Sequence, residues 1–276
     1  MVDDDVTQAG SGRVRIAGQR SAPPVLLVSG LSGTAGFWDP VQTRLAARFR
    51  VASYDQPGCG AYPPQDDAVT IASLARDAAA VSRSVFGDRA VTVIGHSTGG
   101  AIAQMLAATR PDLVAKLVLS GTWQTADPYM VALFGYRAAL LRQAPGLAAG
   151  LTALLTRDPG DIGADDLALP PQTATATSTT LARIDALLAF DGTDLADRIR
   201  APTLVIGAQD DRIVPPSRQR ALHAALPGSA LHMLPDGGHF FPASRPDSFV
   251  ARVDDWLADD AAAKPRPTPT LDGDRN

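Results

Sequence analysis

The chain has 276 residues, of which 45% are hydrophobic and 20% charged, with a net charge of −4. This describes an ordinary globular chain with a sizeable core and no basic stripe for nucleic acid, and its one cysteine, Cys59, excludes an intrachain disulfide framework and a cysteine-rich metal site. No apolar run approaches the roughly 18 residues of a membrane span, and the acidic start Met1-Val2-Asp3-Asp4-Asp5 lacks the apolar stretch of a secretion signal, so a cytoplasmic, reduced setting is expected.

Strands and helices alternate along the first half. Val25-Leu26-Leu27-Val28 reads as a buried strand. Residues 38–49 read as a helix, with Val41, Leu45 and Phe49 four apart. Val51-Ala52-Ser53-Tyr54 is the next strand, and residues 71–86 form a helix with Ile71, Leu74, Ala78, Val81 and Val85 on one face. Residues 90–94 are an apolar strand, a small-residue helix starts at Gly100, and Lys116-Leu117-Val118-Leu119-Ser120 is a further strand. The rhythm breaks over residues 123–195, where leucines mark helices, Pro170-Pro171 and the threonine-rich residues 173–180 mark interruptions, and no strand is recognisable. It resumes with a strand at 202–207, a helix at 217–226, a short strand Ala230-Leu231-His232-Met233 and a last helix at 245–257. Residues 261–276, with Pro265, Pro267 and Pro269, read as a disordered tail. This order predicts an α/β fold: a mostly parallel sheet flanked by helices, interrupted by a helical insertion.

The pentapeptide Gly95-His96-Ser97-Thr98-Gly99 lies between a strand and a helix. That order is a nucleophile elbow, a turn tight enough to hold its serine in a strained conformation, and side chains at Gly95 or Gly99 would collide with neighbouring elements. A serine hydroxyl needs a base to take its proton. Of the four histidines, His96 sits inside the elbow and is expected to point away from the site, His223 is mid-helix and His232 is in a strand. His239 follows Asp236-Gly237-Gly238 on a loop after the last strand, where ligands of open α/β sheets bind, and is the candidate base. The acid that orients it should lie between Ser97 and His239, after a strand. Asp210 and Asp211 both qualify, the one not used being solvated, and Asp236 is a weaker choice. Oxyanion donors are expected from the backbone N–H of Thr98 and, in the loop Ser29-Gly30-Leu31-Ser32-Gly33, from the N–H of Leu31.

With these residues in order, the chain over 20–260 resembles the α/β-hydrolase fold family. Val25 to Gly33 is similar to the family's strand and oxyanion loop, with Ser29 where histidine is usual. Tyr54-Asp55-Gln56-Pro57-Gly58-Cys59-Gly60 is similar to its Asp-x-Arg-Gly-x-Gly turn, with Pro57 in place of arginine. Asp211-Arg212-Ile213-Val214-Pro215 resembles its acid loop, which selects Asp211, and Gly238-His239 matches its terminal Gly-His. Two branches are the most similar. Leu27 to Gly33, Tyr54-Asp55-Gln56, Asp197-Arg198-Ile199-Arg200 and Leu222-His223-Ala224-Ala225-Leu226-Pro227 resemble the aminoacrylate (carbamate) hydrolases of pyrimidine utilisation. His96-Ser97-Thr98-Gly99-Gly100 resembles the 3-oxoadipate enol-lactonases.

The resemblance implies a core of residues 1–122 and 196–260, a helical cap of 123–195, and a Ser97–His239–Asp211 triad acting through an acyl-enzyme, without metal or cofactor. The expected partner is a small carbonyl substrate (ester, enol-lactone, amide or carbamate), with no nucleic acid and no membrane. The oligomeric state stays open, a homodimer included. Trp123, Phe134 and Arg137 are expected at the substrate, Arg137 as partner to a carboxylate; Tyr136 lies beside them, and Cys59 is expected to be a buried thiol. Carbon–carbon bond hydrolysis, perhydrolysis of the cofactor-free haloperoxidase type, and a small-molecule receptor remain alternatives on the same site.

Overall fold

The computed structural model describes residues 5–9, 12–64, 67–163 and 174–258. The expected tail therefore lies outside the described residues, as does Pro170-Pro171. The first two strands, β1 (Asp5–Ala9) and β2 (Gly12–Ala17), form an antiparallel hairpin that the sequence reading left without a strand. Then come β3 (Pro24–Val28), a 3₁₀ turn (Ala35–Trp38) with α1 (Asp39–Leu45), β4 (Arg50–Tyr54), α2 (Ile71–Phe86), β5 (Val91–His96), α3 (Thr98–Thr109) and β6 (Val114–Ser120). The single helix expected at 38–49 is thus a 3₁₀ turn followed by two α-helical turns, with Pro40 near the α-helical start.

Among the described residues three α-helices follow β6 before the next strand: α4 (Pro128–Gln143), α5 (Pro145–Thr156) and α6 (Ala174–Leu188). Over residues 123–195 the described chain contains one isolated bridge, Thr125 to Asp191, and otherwise no strand pairing. Threonines 175, 177, 179 and 180 lie inside α6 rather than interrupting it. Branched residues disfavour helix only mildly, and the packing of α6 on α4 through Ile184 and Leu187 outweighs that preference. The chain closes with β7 (Thr203–Ala208), α7 (Pro216–Ala225), β8 (Ala230–Leu234), a one-turn α8 (Phe241–Ser244) and α9 (Pro246–Ala258).

Among the described residues the strands form one sheet in the order β1-β2-β4-β3-β5-β6-β7-β8, parallel from β4 to β8 and antiparallel at the β1-β2-β4 edge. Parallel strands covered on both faces read as continuous apolar runs, as in Pro24–Val28 and Thr203–Ala208, which are buried throughout. One apolar layer joins α2, α3 and the β6–β7 helices to the sheet; the other joins α1 and α9 to the opposite face. From β3 the chain runs outward to β4 and then returns past β3 to β5. The loops after β3 and β5 therefore diverge and leave a crevice at their carboxyl ends.

Phe249 of α9 is fully buried between helix and sheet. Replacing it with alanine is expected to lower unfolding free energy by about 3–5 kcal/mol. Tyr136→Ala, at a position 77% exposed, should change it by less than about 0.5 kcal/mol. Urea titration of both variants checks the pair.

Candidate active site

Ser97 stands between the end of β5 and the start of α3, with φ 56° and ψ −123°. Among the described residues it is the only non-glycine with positive φ. The turn is possible because backbone approaches backbone at the flanking glycines. A Cβ on Gly95 would lie 2.3 Å from the Gly99 carbonyl oxygen, and one on Gly99 would lie 2.1 Å from that of Val28. The Ser97 N–H donates to the Ser120 carbonyl (2.8 Å), and the Thr122 hydroxyl donates to the Ser97 carbonyl (2.8 Å), so β6 and the residues after it brace the turn.

His239 and Asp211 reach this serine from the ends of β8 and β7. His239 Nε2 is 2.9 Å from Ser97 Oγ, and its Nδ1 is 2.8 Å from Asp211 Oδ2. Asp211 Oδ1 accepts the backbone N–H groups of Ile213 and Val214 (both 2.9 Å), and Oδ2 also accepts from Gln219 Nε2 at 3.2 Å. A carboxylate so bound is an acceptor, so Nδ1 of His239 carries the proton and Nε2 is left to accept from the serine. All three side chains are buried.

Asp210 is half-buried rather than solvated: both its oxygens accept the Gly238 N–H, at 3.0 and 2.9 Å. It has a partner because Gly237 and Gly238, at φ 115° and 65°, fold the histidine loop back over β7. Asp236 instead pairs with Arg245 at 2.8 Å. The Phe240 N–H donates to the Thr156 carbonyl at the end of α5 (2.9 Å), which ties the histidine loop to the helices after β6.

A cavity of about 410 Å³ lies over Ser97, within the range of small-molecule sites. Leu31, Phe134 and Arg137 are in its wall. The loop after β3 lies against the serine: a Cβ on Gly30 would be 3.0 Å from Ser97 Cβ. Thr98 is the first residue of α3, where an N–H has no partner within the helix. Arg137 donates to Thr152 Oγ1 at 3.1 Å, and its guanidinium sits 5.1 Å from the centre of the Phe134 ring. Burial lowers it to about 10, so it remains cationic near neutrality, and among the described residues no carboxylate pairs with it.

Two further expectations need correction. Trp123 is not in the cavity wall. It is fully buried in the apolar layer with Met130 and Phe134, its carbonyl accepting from Gln104 Nε2 at 2.9 Å. His96 does not point away: its ring is 4.8 Å from that of His239, stacks on Phe37 at 4.9 Å, and borders the cavity. Side chains two apart share a strand face, so His96 continues the face of Ile94, above Trp38. Tyr136 is exposed on α4, and Cys59 is a buried thiol whose pKa burial raises. Gln56, Gln219 and Arg183 escaped the sequence reading. For Arg183 a signal existed: it falls four and seven residues before Leu187 and Phe190, on the apolar stripe of its helix.

The family model described as alpha/beta hydrolase fold matches residues 23–246. The chain belongs to this family. Among curated relatives of this hydrolase, "Putative carbamate hydrolase RutD" of Caulobacter sp. (strain K31) is 35% identical over 247 residues, covering 86% of this chain and 91% of the relative. The protein of the same name from Stutzerimonas stutzeri (strain A1501) is 34% identical, covering 86% and 92%. The enol-lactonase of Burkholderia xenovorans LB400 superposes with a TM-score of 0.79 at 24% identity, covering 92% of this chain and all of the other. A thermophilic esterase from Thermogutta terrifontis, solved with malate bound, gives 0.74 at 25% identity, covering 93% and 98%. The expected α/β-hydrolase fold and the resemblance to carbamate hydrolases and enol-lactonases are thereby borne out.

Burial, and next the proximity of His239, hold the His96 imidazole well below its ordinary pKa in this hydrolase. An unfolded histidine titrates near ~6.5. Below that pH the unfolded chain binds a proton that the folded chain refuses, so the contribution of His96 is complete above about 6.5 and lost as pH falls. His96→Phe is expected to flatten the decline of unfolding free energy below pH ~6.5, measured by urea titration at stepped pH. An unchanged slope would contradict a neutral buried His96.

Proposed function

We propose that this hydrolase cleaves a small carbonyl substrate (an ester, enol-lactone, amide or carbamate) through an acyl-enzyme on Ser97. The observation that carries this reading is the buried hydrogen-bonded chain from Ser97 Oγ to His239 to Asp211, at 2.9 and 2.8 Å, opening on a cavity. His239 Nε2 takes the hydroxyl proton as Oγ attacks the carbonyl carbon. The imidazolium gives that proton to the leaving group, and Asp211 holds the ring and stabilises its charge. Water, activated by the same nitrogen, then releases the acid and restores Ser97. The N–H groups of Thr98 and Leu31 receive the oxyanion. The placement of Gly30 against Ser97 supports the second donor.

In this reading the helical segment 123–195 is a cap whose α4 and α5 roof the serine. Arg137, which shares the cavity wall with Arg157 and among the described residues has no carboxylate partner, holds a substrate carboxylate. Carbamate stands first among the carbonyls because it is the substrate class in the names of the curated relatives.

Ser97→Ala should lower kcat for p-nitrophenyl acetate by about 10⁶, and Asp211→Asn by about 10⁴. Ser97→Ala turning over at the parent rate would contradict the acyl-enzyme. Arg137→Met should raise KM for a hemisuccinate ester roughly 10–100-fold, the worth of one charged hydrogen-bonded pair, and leave that for the acetate nearly unchanged. Equal effects on both esters would remove Arg137 from carboxylate binding.

A further inference from the structure

Arg183 of α6 is a buried cation that the mechanism above leaves unused. It is 1% exposed, and among the described residues no carboxylate pairs with it. Its Nε donates to the Leu31 carbonyl at 2.8 Å. Its Nη2 donates to the Gly30 carbonyl at 3.0 Å and to Gln56 Oε1 at 2.6 Å, while Nη1 is buried with no partner among the described residues. Gln56 continues the grip: its Nε2 donates to the Ser29 carbonyl (2.8 Å) and its backbone N–H to that of Gly33 (2.7 Å). Three successive carbonyls of the loop after β3 are thus held by two side chains, and the Gly33 N–H closes the turn on Gly30 at 3.0 Å.

A trans peptide points its C=O and N–H in opposite directions. The Gly30 carbonyl and the Leu31 N–H belong to one peptide plane. With the carbonyl drawn to Arg183, the Leu31 N–H is turned away from it. Gly30, Leu31 and Ser32 border the cavity and Arg183 does not, so the guanidinium stands behind the loop and the N–H faces forward. A charged donor on the carbonyl also polarises the peptide and strengthens its N–H as a donor. We propose that Arg183 is a positioning residue that aims the Leu31 N–H at the oxyanion. Since Arg183 lies on α6, the hole is complete only while that helix is seated on the loop. This inference rests on the acyl-enzyme reading of Ser97.

The test compares p-nitrophenyl acetate with its thiono analogue, in which sulfur replaces the carbonyl oxygen and accepts hydrogen bonds poorly. The parent enzyme is expected to favour the oxygen ester. In Arg183→Met, kcat for the oxygen ester should fall about 10–100-fold, part of what loss of one oxyanion donor removes, with KM nearly constant. The thionoester rate should change little, so the oxygen-to-sulfur rate ratio collapses. Arg183→Lys, which keeps the charge and the aliphatic stem but loses the fork, should fall between, and it carries the test if the methionine variant does not fold. A folded variant with the parent ratio overturns the role of Arg183, whatever its melting temperature. Parent enzyme that turns over neither ester, or Ser97→Ala that turns over both, instead overturns the acyl-enzyme reading.

Discussion

A serine at φ 56° is held in a backbone region that costs about 1–3 kcal/mol for a residue with a side chain. That conformation survives because its surroundings leave the chain no other path. Gly95 and Gly99 let β5, α3 and β3 approach to distances no Cβ would allow. Ser120 and Thr122 hold both ends of the Ser97 peptide from the neighbouring strand. The strain puts the hydroxyl at the carboxyl edge of the sheet, in front of a helix N-terminus, where a developing negative charge is favoured.

The remaining geometry follows from the parallel sheet. Parallel strands bring their carboxyl ends to one edge, so the loops after β3, β5, β7 and β8 meet there although they are far apart in sequence. Each loop is fixed by its own polar bonds: Arg183 and Gln56 on the first, Ser120 and Thr122 on the serine turn, backbone amides on Asp211, and Asp210 on the histidine loop. The helices after β6 join this frame at several places, among them Arg183, the Thr156 carbonyl, and the Tyr129 hydroxyl, which donates to the Arg212 carbonyl beside Asp211 at 2.6 Å. Arg245 adds another tie, pairing with Asp161 after α5 and with Asp236 before His239. The helices after β6 and the hydrogen-bonded chain of Ser97, His239 and Asp211 are thus mechanically linked.

Much of this was legible in the residues. Central parallel strands are apolar on both faces, so β3, β5 and β7 announce themselves, and Ile71–Phe86 carries both its apolar face and its end glycine. The elbow is readable because sterics demand glycine at two fixed positions. The edge hairpin is not legible: β2 offers only the short alternation Val14-Arg15-Ile16, too brief to separate from a loop. Residue type does not say where a polar side chain on a strand or loop end will find its partner. Hence the sequence does not reveal that Asp210 has a backbone partner, that His96 turns toward His239, or that Trp123 fills the layer beneath the pocket. Arg183 shows the converse. A lone charge on an apolar helix stripe was visible, but its meaning depends on the carbonyls of a loop more than 150 residues earlier.

The central claim is that the strained serine becomes acylated. The most direct measurement is peptide mass mapping after acid quench of the enzyme mixed with excess p-nitrophenyl acetate. The expected result is one acetyl group on the peptide containing Ser97, formed in the burst and lost at the steady-state rate. Turnover with Ser97 unmodified throughout, or acetyl label accumulating on another residue at a kinetically competent rate, would contradict it.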